Sequence, residues 1–213
     1  MSPKAPAVEA PQAFPTTTRE EEILIEATRV FAQNGFRATD VQIIADALGI
    51  GKGTIYRSFP TKQALFLACA DRAMTRLQES IRGASLDCTD PIELIKAVIR
   101  AYLKFFDDNS ELLELIIQER SEFKDREKPT YFEHKDRCVQ QWLDLFAELI
   151  AHGRVRDVDP EQISKFISQQ LYGKLFTHYF TGKKEPLANG ADEVIDFLFH
   201  GLMTDHSSAR SRE

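Results

Sequence analysis

The sequence is short of cysteine, of long apolar runs and of positive charge. Its cysteines, Cys69, Cys88 and Cys138, are odd in number and far apart, with no Cys-x-x-Cys or His partner at metal-ligand spacing. A disulfide framework and a thiolate metal site are thereby excluded, and the thiols read as reduced and structural. A redox role for Cys88, in the loop "GASLDCTD", would need a lowered pKa that sequence does not show. No stretch of about 18 apolar residues occurs. The opening "MSPKAPAVEAPQAFPTTT" has no apolar signal core, so neither a membrane span nor a secretory leader is supported and a cytoplasmic location is expected. A net charge of −6 excludes a surface coated throughout in nucleic acid, while leaving room for a local basic patch. Catalytic signatures are missing too. His134, His152, His178, His200 and His206 form no His-x-x-x-His pair, and no nucleophile elbow, phosphate loop or dinucleotide fingerprint is present. His134, in "FEHKD", reads as part of a solvated helix start. No enzyme, metal or cofactor is expected.

What is present is helix. Residues 1–17 carry four prolines and no hydrophobic period, and read as a flexible arm. Thr18 then offers an N-cap with Glu21 three residues on, and Ile23, Ala27, Val30 and Phe31 recur at helical spacing until Gly35. In "TDVQIIADALG", Thr39 is the expected cap and Gln42 its reciprocal partner, with Val41, Ile44, Ala45 and Leu48 on one face before Gly49. Lys52 to Phe59 makes two further turns with Ile55 and Phe59 facing inward, and Pro60 ends them.

A short helix, a glycine-containing turn and a second short helix form a helix-turn-helix, whose second helix presents its outer face to a major groove. Gly51 and Gly53 leave room for a phosphate backbone, and Lys52, Thr54, Tyr56, Arg57 and Ser58 supply donors. From Arg37 to Lys62 the cations Arg37, Lys52, Arg57 and Lys62 outnumber the anions Asp40 and Asp46, inside an acidic chain.

The remainder is helical as well. A long helix from Thr61 carries Leu65, Cys69, Ala73, Leu77 and Ile81 on one stripe and serves as connector. "DPIE" from Asp90 and "DPEQ" from Asp159 each combine a cap, an N1 proline and an acidic or amide N3 residue. "SELLELIIQERSEF" is apolar over most of its circumference, so Glu119 is either paired structurally or open to a cationic ligand. Trp142 and Phe146, in "RCVQQWLDLFAELI", are core residues or the wall of a cavity. "ISKFISQQLYGKLFTHYF" has an aliphatic stripe of Ile163, Ile167, Leu171 and Leu175, and aromatic residues over much of the opposite side. With Phe197 of "VIDFLFHGLM", that surplus apolar surface fits a pair of helices packing on its own copy about a two-fold axis.

The stretch "IIADALGIGKGTIYRSFPTKQAL" resembles the DNA-binding domain of the tetracycline-repressor family of bacterial regulators. The likeness runs from Glu22 to about Met74 and rests on Ile44-Ala45, Leu48-Gly49-Ile50, Lys52-Gly53-Thr54, Ile55-Tyr56, Phe59 and Lys62. It implies an all-α fold, with a three-helix helix-turn-helix domain at the N-terminus and a helical ligand-binding and dimerisation domain at the C-terminus. It also implies that Thr39 caps the second helix on a phosphate, that Gln42 contacts a base, and that Lys62 anchors the DNA backbone. Lys52 and Gly53 open the recognition helix, and Thr54 and Tyr56 reach phosphate or base. Gly51, Asp40 and Ser58 depart from the family pattern; Asp40, whose charge phosphates would repel, is better placed to cap backbone amides.

The layout that follows is an arm at 1–17, a DNA-binding domain at 18–62, a connecting helix at 63–82, a ligand and dimer domain at 83–205 and a disordered tail at 206–213. Pocket candidates are Phe105, Ile116, Glu119, Phe123, Trp142, Phe146 and Phe166. Interface candidates are Tyr172, Gly173, Phe176, Tyr179, Phe180 and Phe197. The expected function is a repressor released from a palindromic double-stranded operator by a small, largely apolar effector, acting as a homodimer away from membranes. A ligand-independent or activating regulator stays open, and a helical enzyme is the remote alternative.

Overall fold

The computed structural model describes residues 18–182 and 185–202. The arm at 1–17, the tail at 206–213, His206 and the side chain of Thr18 lie outside the described residues. Among those described there are nine α-helices and no strand: α1 (Thr18–Asn34), α2 (Val41–Ala47), α3 (Lys52–Ser58), α4 (Lys62–Ser85), α5 (Pro91–Asp108), α6 (Ser110–Glu122), α7 (Thr130–Ala151), α8 (Pro160–Thr181) and α9 (Ala191–Leu202). None is long and apolar enough to cross a membrane.

Local chemistry sets the helix ends. Gly35 closes α1 with a positive φ of 79°, its N–H donating to Phe31 O at 2.9 Å. Asp90 accepts from Ile92 N at 2.6 Å ahead of α5, and Asp159 from Glu161 N at 2.9 Å ahead of α8, as their capping sequences predict. The inward faces follow the periodicity: Ile23, Ala27, Val30 and Phe31 of α1 are buried, as are Leu65, Cys69, Ala73 and Leu77 of α4.

The chain forms two compact units. Among the described residues, one takes in 18–79 together with Asp108–Asp136; the other takes in Ser80–Asp107 and those from Arg137 to Leu202. In the first, α6 packs against α1, and Gln118 Nε2 donates to Phe31 O at 3.0 Å. Its core is aromatic: Phe66 lies edge-on to Phe31, Phe36 and Phe123 at centroid distances of 5.1, 5.4 and 5.4 Å. Periodicity on α4 singled out Leu65 and Cys69 and missed Phe66, which is fully buried. In the second unit, Arg154 pairs with Asp90 at 3.0 Å, and the Asp107 carboxylate accepts from Leu187 N and Ala188 N, both at 2.6 Å.

One histidine reading is corrected. His134 is not solvated but buried, with Nε2 2.7 Å from Asp71 Oδ1. An imidazole with an apolar body and one satisfied nitrogen is held on an inward face of α7 by a carboxylate 63 residues earlier in the chain.

Candidate nucleic-acid interface

The geometry begins where α1 ends. Thr39 is buried, and both its N–H and its hydroxyl donate to Gly35 O, at 3.1 and 2.7 Å. It therefore does not cap α2, contrary to the sequence expectation, and its hydroxyl proton is committed to Gly35 O. The cap is Asp40, whose carboxylate accepts from Gln42 N at 2.8 Å. Gln42 is not a reciprocal capping partner either; its Nε2 donates to Asp46 Oδ1 at 2.7 Å, one turn on.

Asp40 also accepts from Lys52 Nζ at 2.6 Å, which joins the entry of α2 to the entry of α3. The Gln42 amide and then the Lys52 ammonium hold the Asp40 carboxyl below its ordinary range, and Asp40 in turn raises Lys52. Gly49 makes the turn between the helices with φ 63°, and Ile50 N donates to Ala45 O at 3.0 Å. Gly51 is the N-cap of α3 and has no side chain with which to accept.

Recognition helix α3 is anchored by Ile55, fully buried, with Phe59 partly buried against the same core. Its outer face carries Gly53, Tyr56, Arg57 and Ser58, all exposed, with Thr54 and Lys52 half-buried beside them. Ser58 Oγ donates to Glu20 Oε1 at 2.9 Å. Among the described residues Arg57 has no ionic partner, whereas Arg37, although 82% exposed, is paired with Glu122 at 2.7 Å. Lys62 is turned inward onto the carbonyls of Phe36, Arg37 and Thr39. The sequence-predicted DNA residues thus belong to one unit, and Thr39 and Lys62 commit their donors to backbone carbonyls of the protein.

The sequence that builds this geometry matches that of known regulators. The family model described as "Bacterial regulatory proteins, tetR family" matches residues 23–69, and "Tetracyclin repressor-like, C-terminal domain" matches residues 88–172. Together they cover more than half of the chain. The chain belongs to the TetR family. It is a DNA-binding transcriptional regulator, and α2–α3 is its helix-turn-helix.

Among TetR relatives, the HTH-type transcriptional activator FasR of Mycolicibacterium smegmatis is 31% identical over 105 residues, 49% of this chain and 48% of its own length. The chain therefore spans about half the length of that relative. The transcriptional repressor KstR2 of the same species is 26% identical, over 78% of this chain and 79% of its own. In fold, the chain is similar to the transcriptional regulator FadR of Bacillus subtilis, solved in complex with stearoyl-CoA. That match has a TM-score of 0.71 at 19% identity, over 85% of this chain and 98% of the other.

The seven pocket candidates fall in both units. Phe123 belongs to the aromatic core beneath the helix-turn-helix, 4.8 Å from Phe36, with Ile116 and Glu119 buried on the same helical segment. Glu119 Oε1 accepts from Thr130 N and Oγ1, both at 2.9 Å, with Arg126 Nε at 3.5 Å, so its pairing is internal. Phe105 and Phe146 are buried in the other unit, where Trp142 is half-buried and Phe166 is exposed.

The interface candidates make a continuous row on α8. Tyr172 and Phe176 lie 4.2 Å apart, Phe176 and Phe180 6.0 Å, and Tyr179 and Phe180 5.2 Å. Gly173 opens onto free space, and Phe197 of α9 is 74% exposed. Among the described residues no group of three His, Cys, Asp or Glu is arranged to hold a metal.

Proposed function

We propose that this TetR-family chain is a homodimeric, cytoplasmic repressor that leaves a palindromic operator when a small, largely apolar molecule binds its C-terminal helices. The observation that carries this reading is the exposed aromatic row of α8, continued in composition by Phe197 of α9. Phe180 is 69% exposed and Phe197 74%, a large apolar outlay for a protein surface unless a second copy covers it. Pairing supplies two seven-residue recognition helices, and such a helix reads only part of a site by itself.

The effector is proposed to act through the unit that holds Phe105, Trp142 and Phe146. FadR's complex with stearoyl-CoA supports an elongated apolar ligand. Release requires that the ligand bind the DNA-incompetent form better than the competent one; a coupling of about 1–3 kcal/mol changes operator affinity about 5- to 150-fold. Activation is a second reading favoured by one observation, the 31% identical relative that is an activator. The same helix-turn-helix serves either sign, because the position of the operator relative to the promoter decides it.

The test is selection of random duplex DNA on the purified protein. The expected product is a palindrome whose half-sites lie about one helical turn, or a multiple of it, apart. An enriched single half-site would sink the dimeric reading. Stearoyl-CoA and shorter acyl thioesters added to the complex should weaken it within the range above; unchanged affinity across that series overturns the proposed effector class.

A further inference from the structure

Lys62 stands in the first turn of α4, where family likeness expects a phosphate anchor. Its ammonium points the other way. Nζ donates to Phe36 O at 2.8 Å, Thr39 O at 2.9 Å and Arg37 O at 3.2 Å, and sits 4.6 Å from the centre of the Phe36 ring. An ammonium has three N–H donors and no acceptor, so three carbonyls occupy it completely. Those carbonyls follow the C-terminal end of α1, the negative end of its dipole, where a cation is favoured. The ring beneath the cation is itself fixed by Phe31, Phe66 and Phe123 at 6.0, 5.4 and 4.8 Å.

The residue after this carbonyl cradle is Asp40, which caps α2 and holds Lys52 at the start of α3. We infer that Lys62 is a positioning residue for DNA recognition: by gathering the carbonyls of the α1–α2 turn it sets the entry of α2, and with it Asp40, Gln42 and Lys52, without touching phosphate. The inference deepens the DNA-binding reading and rests on it. Lys62 also links the first turn of α4 to the α1–α2 turn, through three charge-assisted hydrogen bonds.

The full-length protein and its K62M and K62R variants separate this role from a phosphate contact. The probes are the duplex enriched by the unmodified protein and a scrambled duplex of equal length. Loss of hydrogen bonds to a charged group should lower affinity for the enriched duplex about tenfold in K62M. Affinity for the scrambled duplex and the slope of log affinity against log salt should be unchanged. Amide exchange of residues 41–47 in the DNA-free protein should accelerate by a similar factor. K62R, which keeps charge and stem, should not restore specificity, because a planar guanidinium cannot place three donors on three convergent carbonyls.

The opposite pattern overturns the proposal: a slope shallower by about 0.9 in K62M with equal loss on both duplexes, or K62R matching the parent, or unaltered exchange over 41–47. Failure of the unmodified protein to enrich any duplex is a failure of the DNA-binding reading, seen before a variant is made, and the exchange measurement then decides the Lys62 placement by itself.

Discussion

At the scale of single residues, the charge at the helix-turn-helix is more constrained than its composition suggests. Lys52, Arg37 and Lys62 each have an internal partner, and Asp40 is the partner that touches the DNA-facing side. Asp40→Asn keeps a good N-cap, removes the carboxylate and frees Lys52. We expect tighter operator binding and a salt slope steeper by about 0.9, as one more phosphate is neutralised. Anisotropy titrations across salt concentrations check this; weaker binding with an unchanged slope would mean that the Asp40–Lys52 bridge serves to position α3 rather than to withhold Lys52 from phosphate. Cys69 makes the contrary point about reading a residue from sequence. Its thiol donates to Leu24 O at 3.7 Å and is pushed up to about 12 by burial, which makes the structural reading of this cysteine correct. Thiol reagents at neutral pH should modify Cys69 only after denaturant unfolds the protein.

Among elements, α6 was legible as a buried helix, but its neighbours were not. Leu112, Leu113, Leu115 and Ile116 are buried as the pattern predicts, while Gln118 reaches Phe31 O and Glu122 reaches Arg37 on the other side of a long sequence gap. Phe66 is central to the aromatic core that α6 helps close. Phe66→Ala should cost about 3–5 kcal/mol, measured by urea unfolding; a loss under 1 kcal/mol would mean that the site collapses freely.

The cap of α5 yields a pH dependence. Burial disfavours the charged form of Asp90, but the Arg154 guanidinium and the amides of Ile92 and Glu93 outweigh it, leaving the carboxyl below its ordinary 3.8. A depressed folded pKa contributes stability above the unfolded value, and that stability is lost as pH falls through the lower folded value. Asp90→Ala should therefore cost about 1 kcal/mol near neutral pH. Its difference from the parent should shrink below pH 3.8; a gap that persists in acid would assign the cost to packing.

For the whole molecule, oligomeric state is the quantity to measure. Phe180→Arg combined with Phe197→Arg places cations where the proposed two-fold interface would have to close, at positions 69% and 74% exposed in the chain by itself. Sedimentation should then show a monomer, circular dichroism an unchanged helical content, and titration much weaker operator binding, since two half-sites are no longer linked. A dimer that survives both substitutions would move the interface elsewhere and leave the α8 row for another partner.

The order of helices, the Asp90 and Asp159 caps and the helix-turn-helix at 39–59 were readable in the chain, because i, i+3 and i+4 spacing, Asp caps and positive-φ glycines act within a few residues. On those local grounds the sequence alone determined an all-α chain with a helix-turn-helix, and its resemblance to the tetracycline-repressor family made that motif the DNA-binding part of a regulator. What only the tertiary structure decided was the direction of polar side-chain ends: Thr39 turned back onto Gly35, Lys62 filling a cradle 23 to 26 residues upstream, Glu119 closing on Thr130 and His134 buried on Asp71. A polar atom joins whichever partner is nearest once the helices have packed. For Lys62 and His134 that partner is brought close by chain folding rather than by spacing, so pattern identifies the residue and packing determines its role.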